Sequence, residues 1–67
     1  MLKWKSEYLA EFNGGRYIIE KGGTGHQIFL EIEGAEKTPV ANYISLNVAK
    51  KNIVFQYDRR IKNASIK

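Results

Sequence analysis

All six glycines of this 67-residue chain fall between positions 14 and 34, as Gly14-Gly15, Gly22-Gly23, Gly25 and Gly34. Glycine is costly inside a regular element and cheap where the backbone reverses, so this punctuation cuts the first half into short pieces. From Leu2 to Phe12 the side chains alternate. Leu2, Trp4, Ser6, Tyr8, Ala10 and Phe12 fall on one side and Lys3, Lys5, Glu7, Leu9 and Glu11 on the other, with Leu9 the exception among the charges. A period of two is that of a half-buried strand. Asn13-Gly14-Gly15 suits a tight turn into a second strand, Arg16–Lys21, and Gly22–Gly25 turns the chain again. A third strand, Gln27–Glu33, sets Ile28, Leu30 and Ile32 against Gln27, Phe29, Glu31 and Glu33. A short helix over residues 7–12 competes with this reading, because Glu, Leu and Ala are good helix formers; two turns are marginal, however, and the alternation extends over eleven residues.

Glu36–Ile44 holds Thr38-Pro39 and little regularity, and reads as a connection. The segment after it fits two patterns. As a helix over Ser45–Lys62 it places Leu46, Ala49, Ile53, Tyr57 and Ile61 in one stripe, with Val54 at the margin and Ser45 positioned to cap the N-terminus. As two strands, Tyr43–Val48 and Ile53–Arg59, it turns at Ala49–Asn52. The helix is preferred, since its pattern is continuous and it covers a sheet that otherwise has no second layer. The expected fold class is therefore α+β, a three-stranded antiparallel meander packed against one C-terminal helix. The alternative is all-β, a five-stranded meander or small barrel. Asn63–Lys67 is expected to fray.

Residues 1–67 suffice for one domain and one core. A core of this size leaves about 3–5 kcal/mol of net stability, and small domains often add a disulfide, a metal or a second subunit. The chain has no cysteine, and its single histidine, His26, has no second soft ligand, so a disulfide framework and a structural zinc site are both excluded. A homodimer gains weight by elimination. No apolar run is long enough to span a bilayer and no signal peptide is recognisable, which points to the cytoplasm and away from a membrane.

Charge is unevenly distributed. Residues 1–49 hold five Lys or Arg against six Glu, whereas residues 50–67 hold six Lys or Arg against Asp58 alone. The outer sheet face is expected to be acidic, with Lys3, Lys5 and Arg16 against Glu7, Glu11, Glu20, Glu31 and Glu33. On a helix, Lys51, Arg59 and Lys62 project outward while Lys50 and Arg60 flank the core stripe and lay their stems along apolar neighbours. Val48 and Phe55 turn away from the core as well. An exposed aromatic among cations reads as an interface anchor, so Val48, Lys51, Phe55, Arg59 and Lys62 form the candidate partner-binding set. Lys50, Lys51, Arg59, Arg60 and Lys62 form the candidate contacts to phosphate or to an acidic partner.

Other motifs carry less. Gly22-Gly23-Thr24-Gly25-His26 resembles an anion nest but joins two strands and lacks the Gly-Lys-Ser/Thr of a phosphate loop. His26 lacks a nucleophile motif nearby, and the glutamates sit on solvated strand faces. No catalytic residue, metal or cofactor is expected.

The run Tyr8-Leu9-Ala10-Glu11-Phe12-Asn13-Gly14-Gly15-Arg16-Tyr17-Ile18, with Tyr43–Lys50 and Tyr57-Asp58-Arg59-Arg60 behind it, resembles the small βββα proteins of phages and mobile elements. The order of elements is also similar to that of the DNA-binding domains of plant ethylene-response factors and integrase arm regions. The second resemblance implies DNA reading by a basic sheet face, which an acidic sheet would oppose. The first implies an accessory protein that modulates or inhibits a host complex, such as a nucleic-acid-directed defence machine. The expected function is thus a non-enzymatic protein-binding module, with nucleic-acid binding through the basic helix and tail as the alternative.

Overall fold

The computed structural model describes residues 2–65. Its elements are β1 (Lys3–Ser6), β2 (Leu9–Phe12), β3 (Gly15–Gly22), β4 (Gly25–Ile32), β5 (Thr38–Tyr43) and α1 (Leu46–Ser65). The strands form one antiparallel sheet in the order β1-β2-β3-β4-β5, and α1 lies across it, closest to β4 and β5. The α+β class and the C-terminal helix agree with the sequence reading. The strand count does not: the meander has five strands, not three, although it is not all-β as the five-stranded alternative had it.

Two segments account for the difference. Residues 2–12 are a hairpin rather than one strand, and the helix considered for residues 7–12 does not form. The chain reverses at Glu7-Tyr8, where the Ser6 hydroxyl accepts a hydrogen bond from the Tyr8 N–H at 3.1 Å, a side-chain turn that needs neither glycine nor proline. Lys3–Glu11 and Trp4–Ala10 differ by an even number of positions, which preserves the period of two for these pairs, while an irregularity between Trp4 and Ser6 sets Ser6 opposite Leu9. The second segment is β5, read earlier as part of a connection. Its Pro39 lies on an edge strand, where a missing N–H can be tolerated, and Val40 is an extra residue between the registered pairs Phe29–Pro39 and Ile28–Ala41.

Register rows define the two sheet faces. Toward the helix, Trp4–Ala10–Tyr17–Leu30 and Ile19–Ile28–Ala41 are cross-strand neighbours. Ala10, Tyr17, Ile19 and Ile28 are buried against Ala49 and Ile53 of α1, with Leu46 and Tyr57 packed alongside. On the open face lie a charged row, Lys3–Glu11–Arg16–Glu31, and an apolar row, Leu9–Ile18–Phe29–Pro39, in register with Ser6. Leu9, the exception in the alternation, belongs to this second row.

The open face is not the acidic surface expected. Arg16 Nε pairs with Glu31 at 2.5 Å, Lys37 Nζ with Glu20 at 2.5 Å and Lys5 Nζ with Glu11 at 3.9 Å. Lys37, from the β4–β5 loop, also stands 4.6 Å from the centroid of the Phe29 ring. Three of the five glutamates assigned to this face are thereby neutralised. Exposed pairs of this kind contribute little stability. Their consequence is that most of the face's charge is compensated within the chain.

Two glycines are required by close approach. A Cβ on Gly15 would come within 2.6 Å of the Glu31 carbonyl oxygen and 2.9 Å of the Phe12 ring. Gly25, with φ of +143°, closes the β3–β4 turn where a Cβ would meet Asn42 Oδ1 and the Tyr43 carbonyl oxygen, both at 2.8 Å.

Tyr17 is fully buried, and its hydroxyl has no hydrogen-bond partner among the described residues. Burial holds the phenol above its ordinary value of about 10, an effect that the nearby Arg60 guanidinium partly offsets. Because the folded state retains the proton more tightly, this contribution is complete below pH ~10 and is lost as the pH rises above it. Tyr17→Phe removes an orphaned polar group while keeping the ring. Urea unfolding is expected to show stability equal to wild type or higher by up to about 1 kcal/mol at pH 7, with the variant's advantage growing above pH ~10. A loss of more than about 1 kcal/mol at pH 7 would contradict the orphaned hydroxyl.

Candidate functional site

Helix α1 begins where Ser45 caps it. The Val48 N–H donates to the Ser45 hydroxyl over a long 3.5 Å, and the Ala49 N–H donates to the Ser45 carbonyl at 3.0 Å. The alternative of two strands over residues 43–59 is overturned, because Leu46, Ala49, Ile53 and Tyr57 all meet the sheet as one helical stripe. The helix continues to Ser65, past the expected end at Lys62; of the segment expected to fray, 66–67 lie outside the described residues.

With Leu46, Ala49, Ile53 and Tyr57 directed inward, a rotation of 100° per residue carries Val48, Lys51, Phe55, Arg59 and Lys62 to the opposite side. Their exposure agrees. Phe55 is 58% exposed, Val48 47%, and Lys51, Arg59 and Lys62 are exposed as well. The Arg59 guanidinium lies 5.7 Å from the centroid of the Phe55 ring, at a distance that suits cation–π attraction. Among the described residues no ion pair involves α1, so these cations have no carboxylate holding them.

The wider basic set divides in two. Lys50 Nζ lies 5.3 Å from the Trp4 ring centroid and Arg60 Cζ lies 5.9 Å from that of Phe12. Phe12 in turn stands 5.6 Å from Tyr17 and 5.4 Å from Tyr57, which makes an aromatic cluster under the second half of the helix. Lys50 and Arg60 therefore close the margins of the core, and Lys51, Arg59 and Lys62 are left to face outward.

One residue escaped the sequence reading. Ile44, 87% exposed, immediately precedes the capping Ser45, the position from which an apolar side chain often folds onto the helix as a hydrophobic staple. It makes no such cover here. The signal was an isoleucine next to a capping serine, which sequence alone cannot distinguish from a staple.

The remaining motifs are structural in their contacts. His26 Nδ1 lies 2.9 Å from the Ile44 carbonyl oxygen, which can only accept, so Nδ1 donates and ties the β3–β4 turn to the entrance of α1. Gly22 and Gly25 are registered partners flanking a two-residue turn. An open groove of about 580 Å³ lies at the other end of the sheet, between Gly14-Gly15 and the loop after β4; its one cation, Arg16, is engaged by Glu31. No described helix is long and apolar enough to cross a membrane.

The architecture and this helix face together define a two-layer α+β domain with a cationic, aromatic-centred outer helix. No family model matches the chain, and neither a curated protein nor a solved structure matches it.

Proposed function

We propose that this chain is a non-enzymatic binding module that docks on another protein through the outer face of α1, against a surface with an apolar pocket and an acidic rim. The observation that carries this reading is Phe55, an aromatic ring held 58% exposed beneath Arg59 and flanked along one stripe by Lys51 and Lys62. Apolar area exposed in this way gains by being covered, and aromatic and arginine side chains are the usual anchors of protein interfaces. Val48 and Ile44 extend the apolar contact toward the N-terminal end of the helix. The cations speed encounter and select an acidic rim without supplying most of the affinity. The resemblance to small phage and mobile-element proteins supports placing the partner in a host complex that the module modulates or inhibits. Nucleic acid is the competing occupant, supported by the same three cations, but their apolar neighbours would be left over a phosphate backbone.

Replacing Phe55 with a photo-crosslinking benzophenone analogue in cells separates the two. A discrete protein adduct is expected, abolished by Lys51→Glu with Lys62→Glu and absent when the analogue is placed at Thr24, exposed in the β3–β4 turn. An adduct removed by nuclease, or labelling no stronger than from position 24, would overturn the proposal.

A further inference from the structure

The helix covers one side of the sheet, and the open side carries a half-buried apolar row between polar ones. We infer that this face pairs with a second copy of the same chain, about a two-fold axis lying along the strands between β2 and β3. The inference does not rest on the reading of α1.

The argument begins with the order of signs in the charged row. Across β1 to β4, Lys3, Glu11, Arg16 and Glu31 run plus, minus, plus, minus. A two-fold axis along the strands reverses the row while keeping it level, so β1 faces β4 of the second copy and β2 faces β3. An even, alternating row is the complement of its own reverse. Lys3 then meets the second copy's Glu31 and Glu11 meets its Arg16, each contact occurring twice as closed symmetry demands. Moving the axis by half a strand spacing, onto β3, would instead set Arg16 against itself and Glu11 against Glu31. The charges thus select one register.

That register also joins the apolar residues. The next outward row lies two residues along, about 7 Å away, and places Leu9 of each copy against Ile18 of the other. Phe29 falls over the second copy's Ser6, with β5 projecting beyond the paired strands. Face-to-face sheets pack about 10 Å apart with their side chains interdigitated, a separation suited to residues of this size. Because Arg16–Glu31, Lys5–Glu11 and Lys37–Glu20 are already paired within one chain, the face is close to neutral and two copies of it repel little. The same neutrality disfavours the other self-contact, in which the basic helix of one copy meets the sheet of the next. That contact would also repeat indefinitely instead of closing.

Sedimentation equilibrium across the micromolar to millimolar range tests the inference. Wild type is expected to reach twice the chain mass. Ile18→Asp is expected to weaken association at least tenfold with its circular dichroism unchanged, while Phe55→Asp dimerises as wild type does. The register has its own test in Glu11→Lys and Arg16→Glu. Each alone places like charges at both symmetry-related contacts and is expected to associate at least tenfold more weakly. An equimolar mixture restores opposite charges at both contacts and is expected to dimerise. A wild type that stays monomeric at millimolar concentration overturns the inference. So does a mixture no stronger than its components, or dissociation by Phe55→Asp, which would indicate the head-to-tail contact.

Discussion

Ile53→Ala is expected to leave much of the population unfolded at 25 °C. Ile53 is fully buried at the middle of the inward stripe of α1, among the few side chains that join helix to sheet. Truncating a buried isoleucine to alanine costs about 2–5 kcal/mol, through lost transfer energy and the cavity left behind. A cysteine-free domain of this length holds only about 3–5 kcal/mol in total, so the substitution removes most or all of it. Ile53→Val, with one methylene fewer, is expected to cost about 0.5–1.5 kcal/mol and to remain folded. Val54→Ala, next along the same helix but exposed, is expected to be neutral or slightly stabilising, since alanine is the better helix former. Far-ultraviolet circular dichroism with urea titration distinguishes these outcomes. An Ile53→Ala variant that melts as wild type would mean that the helix is not held through this stripe. Dilute protein should be used for all three, because association would add a concentration-dependent contribution.

The opposite surface of the helix predicts the reverse pattern. Phe55→Ala is expected to leave the urea midpoint within experimental error of wild type while weakening the captured partner's binding by about 30-fold, corresponding to about 2 kcal/mol at an interface anchor. Arg59→Ala removes the cation above the ring and is expected to weaken binding by about tenfold, with a shallower salt dependence. Asp58→Ala, which removes the only acidic side chain of α1, is expected to leave binding unchanged or to strengthen it. Titration of the crosslinked partner with each purified variant measures these effects. Equal affinities for wild type and Phe55→Ala would show that the ring is not an anchor, whatever the cations contribute.

The helix was legible in the sequence because its two faces obey one period. Leu46, Ala49, Ile53 and Tyr57 recur at three and four, and Ser45 stands where a cap is needed. Val48 and Phe55 fall outside that stripe, and their exposure follows from the helical register itself. The extra strands were hidden for two different reasons. The reversal at Glu7-Tyr8 uses a serine side chain, and the even spacing of Lys3–Glu11 and Trp4–Ala10 keeps those positions in phase, which hides the shift that sets Ser6 against Leu9. In β5, by contrast, Pro39 and the additional Val40 break the period of two within six residues, leaving no alternation to read.

The neutral open face was illegible for a third reason. Lys37 lies in a loop that local pattern cannot place, yet it reaches Glu20, seventeen positions earlier, and covers Phe29. Pairing of this kind depends on which strands become neighbours, so summing charges along alternate positions overstated the acidity. The same blindness hid the apolar row, whose members come from four strands and become collinear only once the register is set.

The irregular residues on the two outermost strands have a further consequence. β1 loses its regular register between Trp4 and Ser6, and β5 carries both Pro39 and the inserted Val40. A rim broken in this way offers no continuous ladder of free amides and carbonyls for an incoming ribbon to zip onto, which is how small β-rich chains escape fibre growth. The broken margins thus disfavour sideways accretion of further strands.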